Sequence, residues 1–295
     1  FDSLGVNRGF DYTRSGNPTR QALERCIAAL EGGAGAVCTG TGMAAVAAVL
    51  HLLRAGDHVI AGHDIYGGTY RLMSDIFSRL GVEFSFVPMD DPGHVGSALR
   101  PGTRLIWIET PSNPLLKLAD IAAISALGRE REALTVVDNT FLTPVFQRPL
   151  ALGASLVVHS TTKYINGHSD VVGGAVVSAD ATLAERVQFV ANACGLTESP
   201  WDAWLVLRGL RTLPQRMAAH ERGATALAQY LEQRPEVRAV HYPGLRSHPQ
   251  RDLAQRQMSG AGGVVTFELD AGQAELDRFF SPLRLFALAE SLGGV

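Results

Sequence analysis

Cysteine is scarce in this 295-residue chain, and the three that occur, Cys26, Cys38 and Cys194, lie far apart. An odd, scattered set forms neither a disulfide framework nor a CxxC pair and suits a reducing cytosol, so each is read as a small buried apolar residue. Long apolar runs are missing too. The longest, residues 43–53, is interrupted by His51 and is too short to cross a bilayer. No charged-then-apolar signal segment opens the chain, so the expected location is the cytoplasm, with no membrane partner. An excess of one charge is also lacking: 26 Lys and Arg stand against 29 Asp and Glu, a net of −3, with no dense basic run. That excludes nucleic acid as an expected partner. No HExxH or paired-ligand spacing points to a metal, and His241 and His248, either side of Pro243 and Gly244, read as loop residues.

What is present is an ordinary globular composition, with 46% hydrophobic and 19% charged residues. The length suffices for one large domain and part of a second. Apolar runs rich in Val and Ile predict strands over residues 35–39, 57–61, 82–87, 104–109, 134–138 and 155–159. Segments of helical period predict helices over 19–30, 43–54, 69–80 and 121–131 between them. This alternation implies βαβ units and a mainly parallel sheet with helices on both faces, whose ligands sit at the carboxyl ends of strands. After residue 178 the pattern turns helical over 181–193 and 201–230, broken at Pro200 and Pro214. A strand at 263–269 and a helix near 273–280 follow, as expected of a smaller α+β domain.

Three places carry candidate chemistry. Gly40-Thr-Gly-Met-Ala-Ala45 fits GxGxxG/A between a strand and a helix, with Asp64 about twenty residues on. It reads as a nicotinamide-binding turn, another phosphate-binding turn or a plain tight turn. In each functional case helix-start amides face an anion. Ser160-Thr-Thr-Lys163 follows a strand, with Gly167, Gly173 and Gly174 close behind. Taken alone, Lys163 is a surface lysine; beside these hydroxyls it suits a covalent carbonyl adduct, provided its pKa is pulled down. Asp138 ends another strand, where it is either a turn residue or the acid that keeps a pyridine nitrogen protonated.

The runs Tyr12-Thr-Arg-Ser-Gly-Asn-Pro-Thr-Arg20, Glu31-Gly-Gly-Ala-Gly-Ala36, Thr41-Gly-Met-Ala-Ala45 and Asp64-Ile-Tyr-Gly-Gly68 make the reading specific. So do Glu109-Thr-Pro-Ser-Asn-Pro114, Val137-Asp-Asn-Thr-Phe141, His159 to Gly174 and Leu288-Ala-Glu-Ser-Leu-Gly-Gly294. In order and over essentially the whole chain, these resemble the cystathionine synthase and lyase family. That family is the Cys/Met-metabolism branch of aspartate-aminotransferase-type pyridoxal-phosphate enzymes. The dinucleotide reading is thereby set aside.

The resemblance implies an α/β fold of the aspartate-aminotransferase type (fold type I): a mainly parallel sheet sandwiched by helices, plus a partial smaller α+β domain. The expected boundaries are 1–13 (partial N-terminal arm), 14–216 (cofactor domain) and 217–295 (truncated small domain). It implies pyridoxal phosphate as cofactor, with Lys163 as Schiff-base lysine and proton shuttle, Asp138 as partner of the ring nitrogen, and Tyr66 stacked on the ring. The Gly42 and Met43 backbone with Ser160 and Thr162 would bind the phosphate, and Tyr12 and Arg14 the phosphate of a neighbouring subunit. The expected assembly is therefore a homo-oligomer, a tetramer with shared active sites. Asn113 would sit near the ring hydroxyl and the substrate carboxylate, and Glu290 and Ser291 would line the site for small amino-acid substrates.

Gly68, where methionine γ-lyases usually carry cysteine, argues against that activity, and Glu290 beside Ser291 resembles enzymes handling cystathionine, whose distal ammonium a carboxylate favours. The implied reaction is cystathionine γ-synthesis: cysteine replaces the acyl group of an O-acylhomoserine. Cystathionine γ-lyase is the alternative, ahead of methionine γ-lyase and O-acylhomoserine sulfhydrylase. The family continues past position 295 with an arginine for the substrate α-carboxylate. A chain bounded as here is therefore expected to bind the cofactor poorly and turn over little.

Overall fold

The first helix, α1 (Pro18–Glu31), shows how local chemistry sets an element. Asn17 precedes it, and its side-chain oxygen accepts the amides of Thr19 and Arg20; Pro18, which has no N–H to leave unpaired, takes the opening turn. Gly32 closes the helix at φ 74°, a left-handed conformation that a side chain would strain. The computed structural model describes residues 2–4, 6 and 8–295.

From there strands and helices alternate: β1 (Gly35–Thr39), α2 (Gly42–Leu50), β2 (His58–Gly62), α3 (Gly67–Arg71), β3 (Glu83–Val87), α4 (Pro92–Ala98), β4 (Thr103–Glu109) and α5 (Ile121–Arg129). Next come β5 (Leu134–Asp138), the single turn α6 (Thr143–Phe146), β6 (Leu156–His159), β7 (Gly174–Ser178) and α7 (Ala181–Ala193). The seven strands form one sheet in the order β1-β7-β6-β5-β4-β2-β3. Strands β2 to β6 pair in parallel, and β7 runs antiparallel to both β6 and β1. The carboxyl ends of β1, β2, β4, β5 and β6 therefore share one edge of the sheet.

The sheet is buried on both faces. Alternate residues separate cleanly: Val37, Trp107, Val136, Val158 and Val176 pack with α2 and α7. Their neighbours Cys38, Val157 and Val177 pack with α1 and the later helices, and Ile106, Ile108 and Val137 pack with α5. Each fully buried Val, Leu or Ile contributes about 1.5–3 kcal/mol. That holds the site-bearing edge in place.

Beyond the sheet lie α8 (Pro200–Leu210), α9 (Leu213–Leu231), α10 (Arg251–Gln257) and α11 (Gln273–Phe280), with β8 (Val237–His241) paired antiparallel to β9 (Thr266–Leu269). Among the described residues no helix is long and apolar enough to cross a membrane.

Several expectations need correction. β7 and β8 were not among the expected strands. His241 is no loop residue: it ends β8, where its Nε2 lies 2.8 Å from Glu268 Oε1. Cys194 is exposed just past α7 and Cys26 is half-buried; only Cys38 fits the buried reading. The break between α8 and α9 falls at residues 211–212, because Pro200 and Pro214 sit in opening turns, where proline is tolerated. The helix expected over 69–80 is three short pieces, with a π-turn at Leu72–Ile76 and a 3₁₀ turn at Phe77–Leu80.

Candidate active site

A cavity of about 630 Å³ opens at the shared carboxyl edge, and both Lys163 and Asp138 line it. It lies within the usual size range for small-molecule sites. Gly42, Met43, Tyr66, Asn113, Ser160, Thr162, Glu290 and Ser291 line it as well. Ten of the twelve residues singled out from sequence thus meet at one place.

One wall is built for close approach. Thr41 caps α2 by accepting the Ala44 amide at 2.8 Å, which leaves the first amides of the helix facing the cavity rim. A Cβ on Gly42 would lie 2.8 Å from Ser160 Cβ, so only glycine lets the two loops touch. The Ser160 amide donates to Thr140 Oγ1 at 2.9 Å. The Thr162 hydroxyl bonds the Gly173 backbone, accepting its N–H at 3.0 Å.

Opposite, Lys163 Nζ donates to Ser291 Oγ at 2.8 Å. Burial pushes the lysine pKa down and the nearby Glu290 pushes it back up. Ser291 sits at φ 78°, and at Gly293 a Cβ would meet the Tyr164 amide nitrogen at 2.7 Å. The segment from Glu290 onward therefore lies directly on the lysine turn.

Asp138 Oδ1 accepts the Thr140 amide at 3.0 Å. Burial raises the Asp138 pKa, against the pull of the Thr140 hydrogen bonds and of His159. Behind it, His159 Nε2 and Glu31 Oε1 meet at 2.7 Å, both fully buried. Glu109 stands beside Asp138 in ladder register and also lines the cavity. Burial and then Asp138 lift its carboxyl well above the usual range. Its Oε2 accepts the Tyr66 amide at 2.7 Å. The Tyr66 ring packs over Gly68, where a Cβ would come within 2.5 Å of it.

Tyr12 and Arg14 are not brought to this cavity. Arg14 donates to the Asn192 carbonyl at 2.7 Å and its guanidinium lies 5.3 Å from the centre of the Tyr12 ring. Two charged lining residues escaped the sequence reading. Arg71 carried no signal, being one cation on a predicted helix. Glu109 was quoted within its motif without a role, although acids ending adjacent predicted strands were a usable clue. Among the described residues, no cluster of three or more His, Cys, Asp or Glu could hold a metal ion.

A half-buried lysine with a depressed pKa, a carboxylate on the same cavity, a flanking aromatic ring, and a helix start beside hydroxyls form one donor set. That set fits a phosphorylated heteroaromatic aldehyde such as pyridoxal phosphate: amine for the carbonyl, acid for the ring nitrogen, amides and hydroxyls for the phosphate. The class so defined is a fold type I pyridoxal-phosphate enzyme.

Comparison with known proteins narrows the class. Residues 3–295 match the family described as Cys/Met metabolism PLP-dependent enzyme. A cystathionine γ-synthase of Mycobacterium tuberculosis is 51% identical over 292 residues, covering 99% of this chain and 75% of its own. A cystathionine β-lyase of Coxiella burnetii is 48% identical over 295 residues, covering 99% and 76%. The crystal structure of cystathionine γ-synthase from Xanthomonas oryzae, in complex with aminoacrylate and cysteine, superposes with TM-score 0.97 at 50% identity, covering 100% of this chain and 76% of that one. The chain belongs to the Cys/Met metabolism family of pyridoxal-phosphate-dependent enzymes, within its group of cystathionine synthases and lyases.

Proposed function

We propose that this enzyme is a cystathionine γ-synthase, joining cysteine to Cγ of an O-acylhomoserine with loss of the acyl group as a carboxylate. The observation that carries the site assignment is that Lys163 and Asp138 bound one cavity. The choice of γ-replacement is supported by the 51%-identical synthase and by Glu290 beside Ser291, a carboxylate suited to an amino group on the substrate's far end.

Pyridoxal phosphate, when bound, supplies an electron sink for charge that develops at the substrate's Cα. Lys163 Nζ would hold the cofactor carbonyl and, as a free amine, would move the protons at the substrate's Cα and Cβ. A depressed pKa keeps that amine competent as a base. Asp138 would hold a proton on the ring nitrogen, Tyr66 would cover the ring face, and Asn113 would orient the ring hydroxyl and the substrate carboxylate. The amides of Gly42 and Met43, with Ser160 and Thr162, hold the phosphate. Tyr12 and Arg14, which face away from their own cavity, serve the phosphate site of a neighbouring subunit in a cytoplasmic homotetramer.

The test uses full-length enzyme supplied with O-succinylhomoserine and cysteine, and separately with cystathionine. Cystathionine should form faster from the first pair than 2-oxobutyrate forms from the second; the reverse ranking makes the enzyme a γ-lyase. Faster release of pyruvate would make it a β-lyase. Added pyridoxal phosphate should give a visible band that borohydride abolishes and that Lys163→Ala never shows. A colourless wild-type protein would refute the cofactor assignment itself.

A further inference from the structure

Asp64 and Glu109 have no part in the chemistry above, yet both stand where two site loops meet. The loop after β2 carries Tyr66, and the loop after β4 carries Asn113. β2 and β4 are neighbours in the sheet, so the loops leave its edge side by side. Each gives the other one acceptor. Asp64 Oδ2, in the first loop, accepts from Ser112 Oγ of the second at 2.7 Å. Glu109 Oε2, at the root of the second, accepts the Tyr66 amide of the first at 2.7 Å. Tyr66 heads α3 with no side-chain cap of its own kind, so Glu109 satisfies an amide that would otherwise be left open. Below, the missing side chain at Gly68 leaves the space that the Tyr66 ring fills.

We propose that Asp64 and Glu109 are positioning residues: their two reciprocal hydrogen bonds clamp the Tyr66 loop to the Asn113 loop and so set the slot for the cofactor ring. The proposal rests on the reading of the cavity as a pyridoxal-phosphate site. Glu109 needs only an acceptor oxygen for this, which suits a carboxyl that burial beside Asp138 drives toward its neutral form. Glutamine offers the same oxygen in the same shape.

The experiment compares Glu109→Ala, Glu109→Gln, Ser112→Ala and Ser112→Thr in the full-length holoenzyme. It reads pyridoxal-phosphate Kd, the visible circular dichroism of the bound cofactor, and melting of the apo-protein. Loss of either bond should weaken cofactor binding roughly fivefold and alter the visible dichroism. Glu109→Gln and Ser112→Thr should restore both signals. If Glu109→Ala does not fold, the Ser112 pair alone decides the matter. Wild-type Kd and dichroism in both alanine variants would overturn the clamp while leaving the cofactor assignment intact, as would Glu109→Gln behaving like Glu109→Ala. A wild-type protein that binds no pyridoxal phosphate removes the cofactor assignment and the clamp together.

Discussion

Glu198 offers a measurable test of how this fold handles a buried acid. It is 1% exposed, and neither carboxyl oxygen has a hydrogen-bond partner among the described residues. Burial, helped by Asp202 and Glu24 and opposed by Arg20, raises its pKa from an ordinary 4.5 to about 8. The folded state therefore holds this proton more tightly than the unfolded chain does. The associated stability is fully present below about 4.5 and drains away as pH climbs through about 8. An interval of about 3.5 pH units, at about 1.4 kcal/mol each, gives ~5 kcal/mol in all. Glu198→Gln keeps the shape and cannot ionise. Urea unfolding of apo-protein should show the two proteins alike near pH 4.5, with the variant gaining up to about pH 8 and holding that lead at pH 9. The midpoint difference there should reach roughly 1–2 M urea. Glu24, with its own raised pKa, is present in both proteins. Parallel stability curves across that range would refute the reasoning, for they would mean that Glu198 is already ionised and satisfied.

Two further expectations follow from the site. Gly42→Ala should raise the cofactor Kd about tenfold, since its Cβ would sit 2.8 Å from Ser160 and overpacking costs about 1–3 kcal/mol. Gly223→Ala, whose Cβ meets nothing within 4 Å, should leave cofactor titrations unchanged. Glu290→Gln removes the group that opposes the burial effect on Lys163, so the lysine pKa should fall further. Competitive acetic anhydride labelling of the apo-protein should find Lys163 more reactive near pH 8, and reduced reactivity would contradict the assigned direction.

Most of the sheet was legible because its strands are buried on both faces and so read as continuous Val- and Ile-rich runs. Their order of appearance, with helices between, gave the parallel core. Lys163 and Asp138 were visible as polar residues terminating such runs, at the edge where ligands bind. β7 was not, since its antiparallel entry between β1 and β6 depends on contacts far apart in the chain. Nor could local sequence foresee that Arg14 would lie against Asn192 within its own chain. Glu109 was missed for another reason: its importance comes from the strand beside it, and registration between strands is a property of the folded sheet.

Lys163 lies on the connection between β6 and β7, adjacent strands hydrogen-bonded to each other in the middle of the sheet, with His159 opposite Ala175. The other loops of this edge run from a strand outward into helices or turns, and so are anchored to the sheet at one end. The lysine's loop is moored at both ends to paired interior strands of the sheet. The attacking nitrogen thereby keeps its station, while the cavity lining that leaves the sheet by a single strand, Arg71 included, has room to differ.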